Sequence, residues 1–252
     1  YEEAYAILEE SGNSDAIAQN KYGRAMKFID SGDYKAAYVL LKGLSYKDSE
    51  EKLLDIKIKH ECKQIVLEVA DVGDTVFFGS YEQDNDTANG KEDIEWVVLA
   101  KEDNRLLLIS DKTLDCKPYN ASFIRVTWKD CTLREWLNKT FLSDAFSSEE
   151  QTKIQSTTVS ADKNPQYDTN PGNATTDKVF LLSITEAEKY FGSNEARKCA
   201  PTAYAIAQGT YTSDDYETAD GDPTVWWWLR SPGYIRSYAA YVNSFGSVYA
   251  FG

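Results

Sequence analysis

One histidine, four cysteines and 41 acidic residues are the groups in this 252-residue chain from which chemistry could be built. His60 is the single histidine and falls in a helical stretch, so a Ser-His-Asp or Cys-His machine has no general base here. A catalytic zinc centre, which draws most of its ligands from histidine, is not expected on the same ground. Cys62, Cys116, Cys131 and Cys199 form no C-x-x-C pair, and their spacing fits neither a zinc site nor a disulfide-dense scaffold. Buried free thiols are expected, with a Cys116–Cys131 bridge as the alternative. An enzyme built on this chain would need a reactive, low-pKa thiol, at Cys199 or Cys131. The carboxylate pairs Glu149/Glu150 and Asp214/Asp215 are adjacent in sequence and read as solvated surface. The acidic stretch 213–222 (Asp214, Asp215, Glu217, Asp220, Asp222) offers hard oxygen ligands that could bind calcium, but without EF-hand spacing. No other cofactor is expected. Neither common glycine-rich phosphate loop is present.

What the chain does concentrate is recognition chemistry. Residues 226–252 read WWWLRSPGYIRSYAAYVNSFGSVYAFG. After the aromatic block and its Pro232-Gly233 turn, Tyr, Phe, Ser, Asn and Arg are threaded through Ala, Val and Gly. With a period of two, Val242, Val248 and Ala250 share one face, while Tyr241, Asn243, Phe245, Ser247, Tyr249 and Phe251 share the other. Tyr234-Ile235-Arg236-Ser237-Tyr238 has no period and follows a Pro-Gly turn, so it reads as an exposed loop. Tyr supplies large contact area at low entropy cost, and Ser and Asn adapt their hydrogen bonds, which is the composition of binding loops. A core strand would collect the same aromatics. The Val/Ala face already supplies a core side, and that favours the binding reading. Trp226, Trp227 and Trp228 are expected in or beside the core, with Arg230 and the Pro232-Gly233 turn fixing the loop's launch angle.

Composition narrows the partners. With 42% hydrophobic and 27% charged residues the chain is globular rather than disordered, and no apolar run reaches the roughly 18 residues that span a membrane. The net charge of −14 argues against nucleic acid or an anionic membrane as partner. Residues 1–68 carry 10 Lys/Arg and 13 Asp/Glu, a net −3, which leaves −11 for the remainder. Within 234–252 the only charge is Arg236, so the proposed surface is a nearly neutral island on an acidic domain. The chain opens on Tyr1 rather than Met, and is expected to be a fragment or processed form.

The elements that must position these residues fall into two segments. Residues 1–68 read as helices. Tyr5, Ile7 and Leu8 form a first stripe, and Ser14-Asp15 caps a second helix that stops at Ser31-Gly32. Asp33 starts a third helix, which ends at Gly43, and Asp48-Ser49 precedes a fourth. From about residue 69 the period changes to two. Strands are expected over 72–79, 94–99 and 105–110, with Asn89-Gly90 and Asp103-Asn104 as turns. Two short helices follow, the first with Thr132 and Glu135 in capping-box spacing and the second opened by Phe146-Ser147-Ser148-Glu149-Glu150. A polar loop at 160–177, a strand at 179–182, a short helix at 185–191 and a second loop at 209–224 lead to the terminal strands. This is an α+β chain with long surface loops: a helical spacer at 1–68 and a ligand-binding domain at 69–252.

Two resemblances extend this reading. A-x-x-F-I-x-x-G-D-Y-x-x-A, from Ala25 to Ala37, resembles the helix-turn-helix junction of a tetratricopeptide-type repeat. At most two units are present, which implies a spacer or docking hairpin rather than a solenoid. V-G-D-T-V-F-F-G-S-Y at 72–81, W-V-V-L at 96–99, T-L-R-E-W-L-N at 132–138, F-L-L-S at 180–183 and W-W-L-R-S-P-G at 227–233 together resemble the bacterial DUF6273 family. The resemblance implies the C-type-lectin-like and formylglycine-generating-enzyme-like fold group. Some members of that group resemble variable proteins of diversity-generating retroelements, in which adenine-directed mutation turns Asn codons into a restricted set lacking Lys, Glu, Gln, Trp and Met. Residues 234–252 contain none of those five types. The implied frame is Ala239, Ala240, Val242, Gly246, Val248 and Gly252. The implied variable, ligand-contacting positions are Tyr234, Ile235, Arg236, Ser237, Tyr238, Tyr241, Asn243, Phe245, Ser247, Tyr249 and Phe251. The ligand would be a protein or glycan, and the setting a cell surface or secreted. Relatives run on into a Gly-Val-Arg-Pro-like strand, so the chain is expected to be truncated at Gly252 or circularly incomplete. The copper-binding cysteine pair of formylglycine-generating enzymes has no counterpart, and neither has the Glu-Pro-Asn tripeptide of calcium-dependent lectins. The expectation is therefore a binding module and not an enzyme, with a formylglycine-generating-enzyme-like or other uncharacterised enzyme, or a structural surface domain, as the alternatives.

Overall fold

The computed structural model describes residues 13–251, apart from the side chain of His60. The expected stripe Tyr5, Ile7, Leu8 and the frame residue Gly252 lie outside the described residues. The architecture is α+β with small antiparallel sheets. The described residues pack as two compact units, one formed by 13–77 with 95–109, the other by 78–94 with 110–251. A change of period at 68/69 marks where helices give way to strands. Packing groups differently, because Val76 and Val98 share one apolar core with the helices.

In the first unit, α1 (Ser14–Ser31) is capped by Asn13, whose side chain accepts from the Ala16 N–H, one residue before the expected cap. Gly32, at φ 79°, ends it in the left-handed conformation that favours glycine. Asp33 caps α2 (Tyr34–Leu41) by accepting from Ala36. The expected fourth helix is two, α3 (Ser49–Ile58) and α4 (His60–Val69), broken where Lys59 adopts an extended ψ of 127°. Ala25, Ala37, Tyr38, Leu41, Ile56, Cys62 and Val66 are buried together. Small Ala25 and Ala37 sit where α1 and α2 pack, as the sequence pattern requires. β1 (Thr75–Tyr81), β2 (Glu92–Glu102) and β3 (Arg105–Ser110) form a sheet in that order.

The second unit has short elements and much irregular chain. A 3₁₀ turn at Trp128–Asp130 leads to α5 (Thr132–Trp136), a π-helical turn at Leu137–Phe141 and α6 (Leu142–Ala145). The expected Thr132/Glu135 capping box is not formed. Cys131 occupies the cap, and Thr132 is diverted because its Oγ1 accepts from Ala121 and its N–H donates to Asn120 Oδ1. α7 (Ser148–Lys153) does carry a full capping box from Ser147 and Glu150, and Glu150 Oε1 also accepts from the Gly79 N–H. β4 (Thr157–Val159) pairs with β5 (Thr175–Asp177), closing the loop between them. Residues 179–182 are not a strand. Their neighbourhood is satisfied by side chains instead: Asn138 Oδ1 accepts from Lys178 and Val179, and Arg230 donates to the Leu181 carbonyl. α8 (Ile184–Tyr190) opens with a Ser183/Glu186 capping box. α9 (Ala203–Ala207) follows. The expected loop 209–224 contains a hairpin, β6 (Ser213–Glu217) and β7 (Pro223–Thr224), with Asp214, Asp215 and Glu217 exposed on it. The terminal sheet has β8 (Trp227–Pro232), β9 (Ala239–Val242) and β10 (Val248–Tyr249) in antiparallel order β10-β9-β8. Its inner side is Leu229, Ala240, Val242 and Ala250, all buried. Among the described residues no helix is long and apolar enough to cross a membrane.

Candidate functional site: an aromatic face on the terminal sheet

The site is built on a fixed frame. Arg230 is buried in β8, where its guanidinium meets both oxygens of Glu186 (Nη2–Oε1 2.8 Å, with Nη1 against Oε2) and donates to the carbonyls of Leu181 (2.8 Å) and Ser160 (3.2 Å). Its own N–H and carbonyl bond to the Leu182 carbonyl and the Tyr119 hydroxyl. Burial raises the Glu186 pKa, but the Arg230 hydrogen bond and charge outweigh burial and leave it below the usual value. Trp227 and Trp228 are half-buried and anchored by indole N–H bonds to the carbonyls of Arg197 and Lys117, both at 3.1 Å. Trp226 instead is exposed, so only part of the tryptophan block stands in or beside the core.

From this frame the chain leaves β8 into the loop 233–238. Gly233 donates to the Tyr238 carbonyl and Tyr234 to the Ala250 carbonyl. A Cβ on Gly233 would lie 2.4 Å from the Ala250 carbonyl oxygen, so glycine is required by close approach. The buried side chain of Asn164 donates to the Pro232 carbonyl at 3.0 Å, and Thr169 Oγ1 donates to the Tyr234 carbonyl at 2.9 Å. The polar loop 160–177 therefore holds the base of the recognition loop.

On β10 the alternation is as the period of two requires: Tyr249 and Phe251 face out and Ala250 faces in. Tyr241 and Tyr249 are cross-strand partners, with ring centroids 5.9 Å apart. The alternation fails between 243 and 247, because these residues form the turn joining β9 to β10. Asn243, expected to face out, is buried at 8 % exposure. Its Oδ1 and carbonyl accept from the Ser247 and Gly246 N–H groups, so both of its oxygens close the turn. Ser247 is held by Asn194 Nδ2 at 2.8 Å. Phe245 is exposed at the tip.

Of the eleven expected contact residues, Ile235, Arg236, Phe245, Tyr249 and Phe251 are exposed. Tyr234, Ser237, Tyr238, Tyr241 and Ser247 are half-buried, and Asn243 is buried. The rings form a chain: Phe245–Tyr249–Tyr241–Trp226 at 6.0, 5.9 and 5.6 Å, and Tyr238–Tyr234–Phe251 at 5.1 and 4.8 Å. Burial raises the Tyr241 hydroxyl pKa, which keeps it a neutral hydrogen-bonding group.

Three rings that sequence reasoning missed extend this face. Phe123, 73 % exposed, lies 5.2 Å from Tyr238, Tyr167 lies 6.2 Å from Tyr234 and Phe251, and Tyr216 lies 5.3 Å from Phe245. A signal existed for Phe123, an apolar Phe-Ile pair inside a polar stretch without period. None existed for Tyr167 or Tyr216, whose neighbours come from tertiary packing. Between Phe123 and Tyr238 opens a cleft of about 220 Å³, floored by Tyr119 and Trp228 and edged by Ile124 and Arg236. An apolar floor, neutral hydroxyls and one guanidinium suit stacking and hydrogen bonding to a neutral or weakly anionic ligand.

Against this geometry, a family model described as a domain of unknown function matches residues 103–251. The chain belongs to the DUF6273 family. The DUF6273 match includes every ring of the aromatic face together with its supports Arg230, Glu186 and Asn164. No curated protein and no solved structure gives a significant match.

At Cys131 and Cys199, the two positions named for a reactive thiol, the DUF6273 chain has raised rather than lowered thiol pKa values. All four cysteines are unbridged, including Cys116 and Cys131. Burial pushes the Cys131 thiol up to about 11 and also raises Cys199. The acidic residues at 213–222 do not gather as cation ligands either. Among the described residues, the metal-ligand type cluster lies elsewhere, at Glu82, Asp84 and Glu92.

Proposed function

We propose that this chain is a receptor-like ligand-binding module. Its terminal loop and strand face would engage a protein or glycan on a C-type-lectin-like scaffold, at a cell surface or secreted, without catalysis. The observation that carries the reading is the chain of exposed, neutral aromatic side chains on a sheet whose opposite side is packed shut. Contiguous exposed apolar surface of this kind marks an interaction site. Its backbone is over-determined by Arg230, Asn164 and the glycines, so side chains can change while the frame holds. The helical segment is proposed as a tetratricopeptide-like spacer.

The proposal extends to diversification. Tyr234–Tyr238, Tyr241, Phe245, Ser247, Tyr249 and Phe251 would vary, while Ala239, Ala240, Val242 and Gly246, all buried, would not. Asn243 belongs with the frame, because its side chain closes the turn. DNA sequencing beside the gene tests this. The expected result is a near-copy of the segment encoding 227–252 next to a reverse transcriptase, with differences at adenines of those codons only. A near-copy whose differences also fall on Gly246 or Ala240 would contradict it, as would no near-copy at all.

A further inference from the structure

The hairpin between β1 and β2 carries a second feature that the binding face does not use. Glu82 directly follows β1, Asp84 lies in the loop, and Glu92 opens β2. One carboxylate oxygen from each lies within 4.8 Å of the others. Three acids so close repel one another, and among the described residues no Lys or Arg is ion-paired with any of the three. Asp84 and Glu92 have some relief from neighbours. Asp84 accepts from the Asp86 N–H at 2.7 Å and Asn89 Nδ2 at 2.8 Å, and Glu92 Oε2 accepts from the Gln83 N–H at 2.7 Å. Glu82 has less relief: a backbone hydrogen bond from Asn85 reaches its carboxylate, but not both of its oxygens are satisfied. It is 92 % buried by its 8 % exposure, and its Oε1 is enclosed without any hydrogen-bond partner. A buried carboxylate oxygen left unpaired beside two other carboxylates is costly, and a cation is the partner that satisfies all three.

We propose that Glu82, Asp84 and Glu92 form a calcium site that closes the β1–β2 hairpin. The donor set is oxygen only, which selects a hard cation over zinc or copper. Calcium–oxygen distances of about 2.4 Å place opposite ligands about 4.8 Å apart, whereas magnesium needs a tighter octahedron near 2.1 Å. The three oxygens, all within 4.8 Å of one another, are close enough to share one hard cation. The loop is already shaped for closure: Asn85 and Gly90 take positive φ (67° and 103°), and the Gln83 carbonyl accepts from Tyr204 at 2.9 Å. This site is independent of the aromatic face and of the acidic hairpin at 213–217.

Thermal melts of the full chain in EDTA, CaCl2 and MgCl2, with calorimetric titration of CaCl2, test it. Saturating calcium is expected to raise the melting temperature by about 5 °C over EDTA, with a stoichiometry of one and a clearly smaller effect of magnesium. Glu82→Gln is expected to remove the calcium shift. Asp84→Asn, at an exposed position, should weaken it without harming the fold, so the test stands even if Glu82→Gln does not fold. A saturable shift that survives in Asp84→Asn and Glu82→Gln places the ion elsewhere and overturns the proposal. No calcium response in the wild-type chain overturns it outright, leaving Glu82 as a protonated acid sharing its hydrogen with a neighbour.

Discussion

Glu186→Ala is expected to lower the melting temperature of the second unit by about 10 °C. The reason is asymmetric. The Arg230 side chain is 2 % exposed and would keep its charge, while its bidentate partner is gone. Removing one member of a buried ion pair costs about 3–5 kcal/mol, and in a unit of this size each kcal/mol shifts the midpoint by roughly 2–4 °C. The carbonyls of Leu181 and Ser160 would remain as Arg230 partners, and the compensating charge left would be the longer, more exposed contact of Asp162 Oδ2 at 3.6 Å from Nη2. Replacing both partners, by Arg230→Met with Glu186→Leu, should cost clearly less than Glu186→Ala alone, because no charge is then stranded. The ion pair also has a pH signature. The folded Glu186 pKa is depressed, so its contribution is fully present above the unfolded carboxylate value of about 4.3 and is lost as pH falls through the lower folded value. Melts across the acid range should therefore show a flatter acid limb in Glu186→Ala than in the wild type. A variant that melts within a degree of wild type would show that Arg230 is solvated and that β8 is not anchored through it.

Gly246→Ala is expected to do comparable damage at the other support of the site. Gly246 closes the β9–β10 turn at φ +81°, and a Cβ there would lie 1.7 Å from the carbonyl oxygen of Asn194. The obstacle is backbone, so no side-chain rotation relieves it. The same stretch is pinned by Arg197 Nε donating to the Gly246 carbonyl at 2.8 Å and by Asn194 Nδ2 donating to Ser247. Strained φ alone costs about 1–3 kcal/mol, and the overlap forces the turn away from Asn194, so a total of about 3 kcal/mol and a fall of roughly 6–12 °C are expected. Differential scanning calorimetry reads it directly. The turn carries Phe245 and leads into Tyr249, so the variant should also perturb the aromatic face. An unchanged midpoint would mean that the turn has free space on this side, contrary to its packing.

The sequence disclosed local structure where a single side chain decides it. Gly32, Asp33, Ser147 and Asn104 with its turn at Asp103 (φ 49°) mark element ends that the structure reproduces within a residue or two. It failed where a side chain was recruited by something distant. Thr132 had the spacing of a cap, yet it serves Ala121, and residues 179–182 had strand composition, yet their backbone is satisfied by Asn138 and Arg230. The recognition strand shows both outcomes. Alternation placed Tyr241, Tyr249 and Phe251 correctly outside Val242 and Ala250, but alternation cannot foresee a turn, and Asn243 went inward with it. Phe123 and Tyr167 joined the face from two loops and Tyr216 from strand β6, and Glu82 is buried at the end of a strand. Neither event leaves a periodic trace.

The central claim is that the exposed aromatic face is where this chain binds. Selection of a displayed random-peptide library and of an immobilised glycan array on the folded chain tests it most directly. The binders are then measured on the variant Ile235→Ser, Phe245→Ser, Tyr249→Ser, Phe251→Ser. All four side chains are exposed, so the variant should melt within about 5 °C of wild type. Aromatic anchors commonly contribute 2 kcal/mol or more apiece, so the selected binders should lose at least about 100-fold in affinity. Binders that hold the folded variant as tightly as the wild type would contradict the account and move the binding site off the terminal sheet.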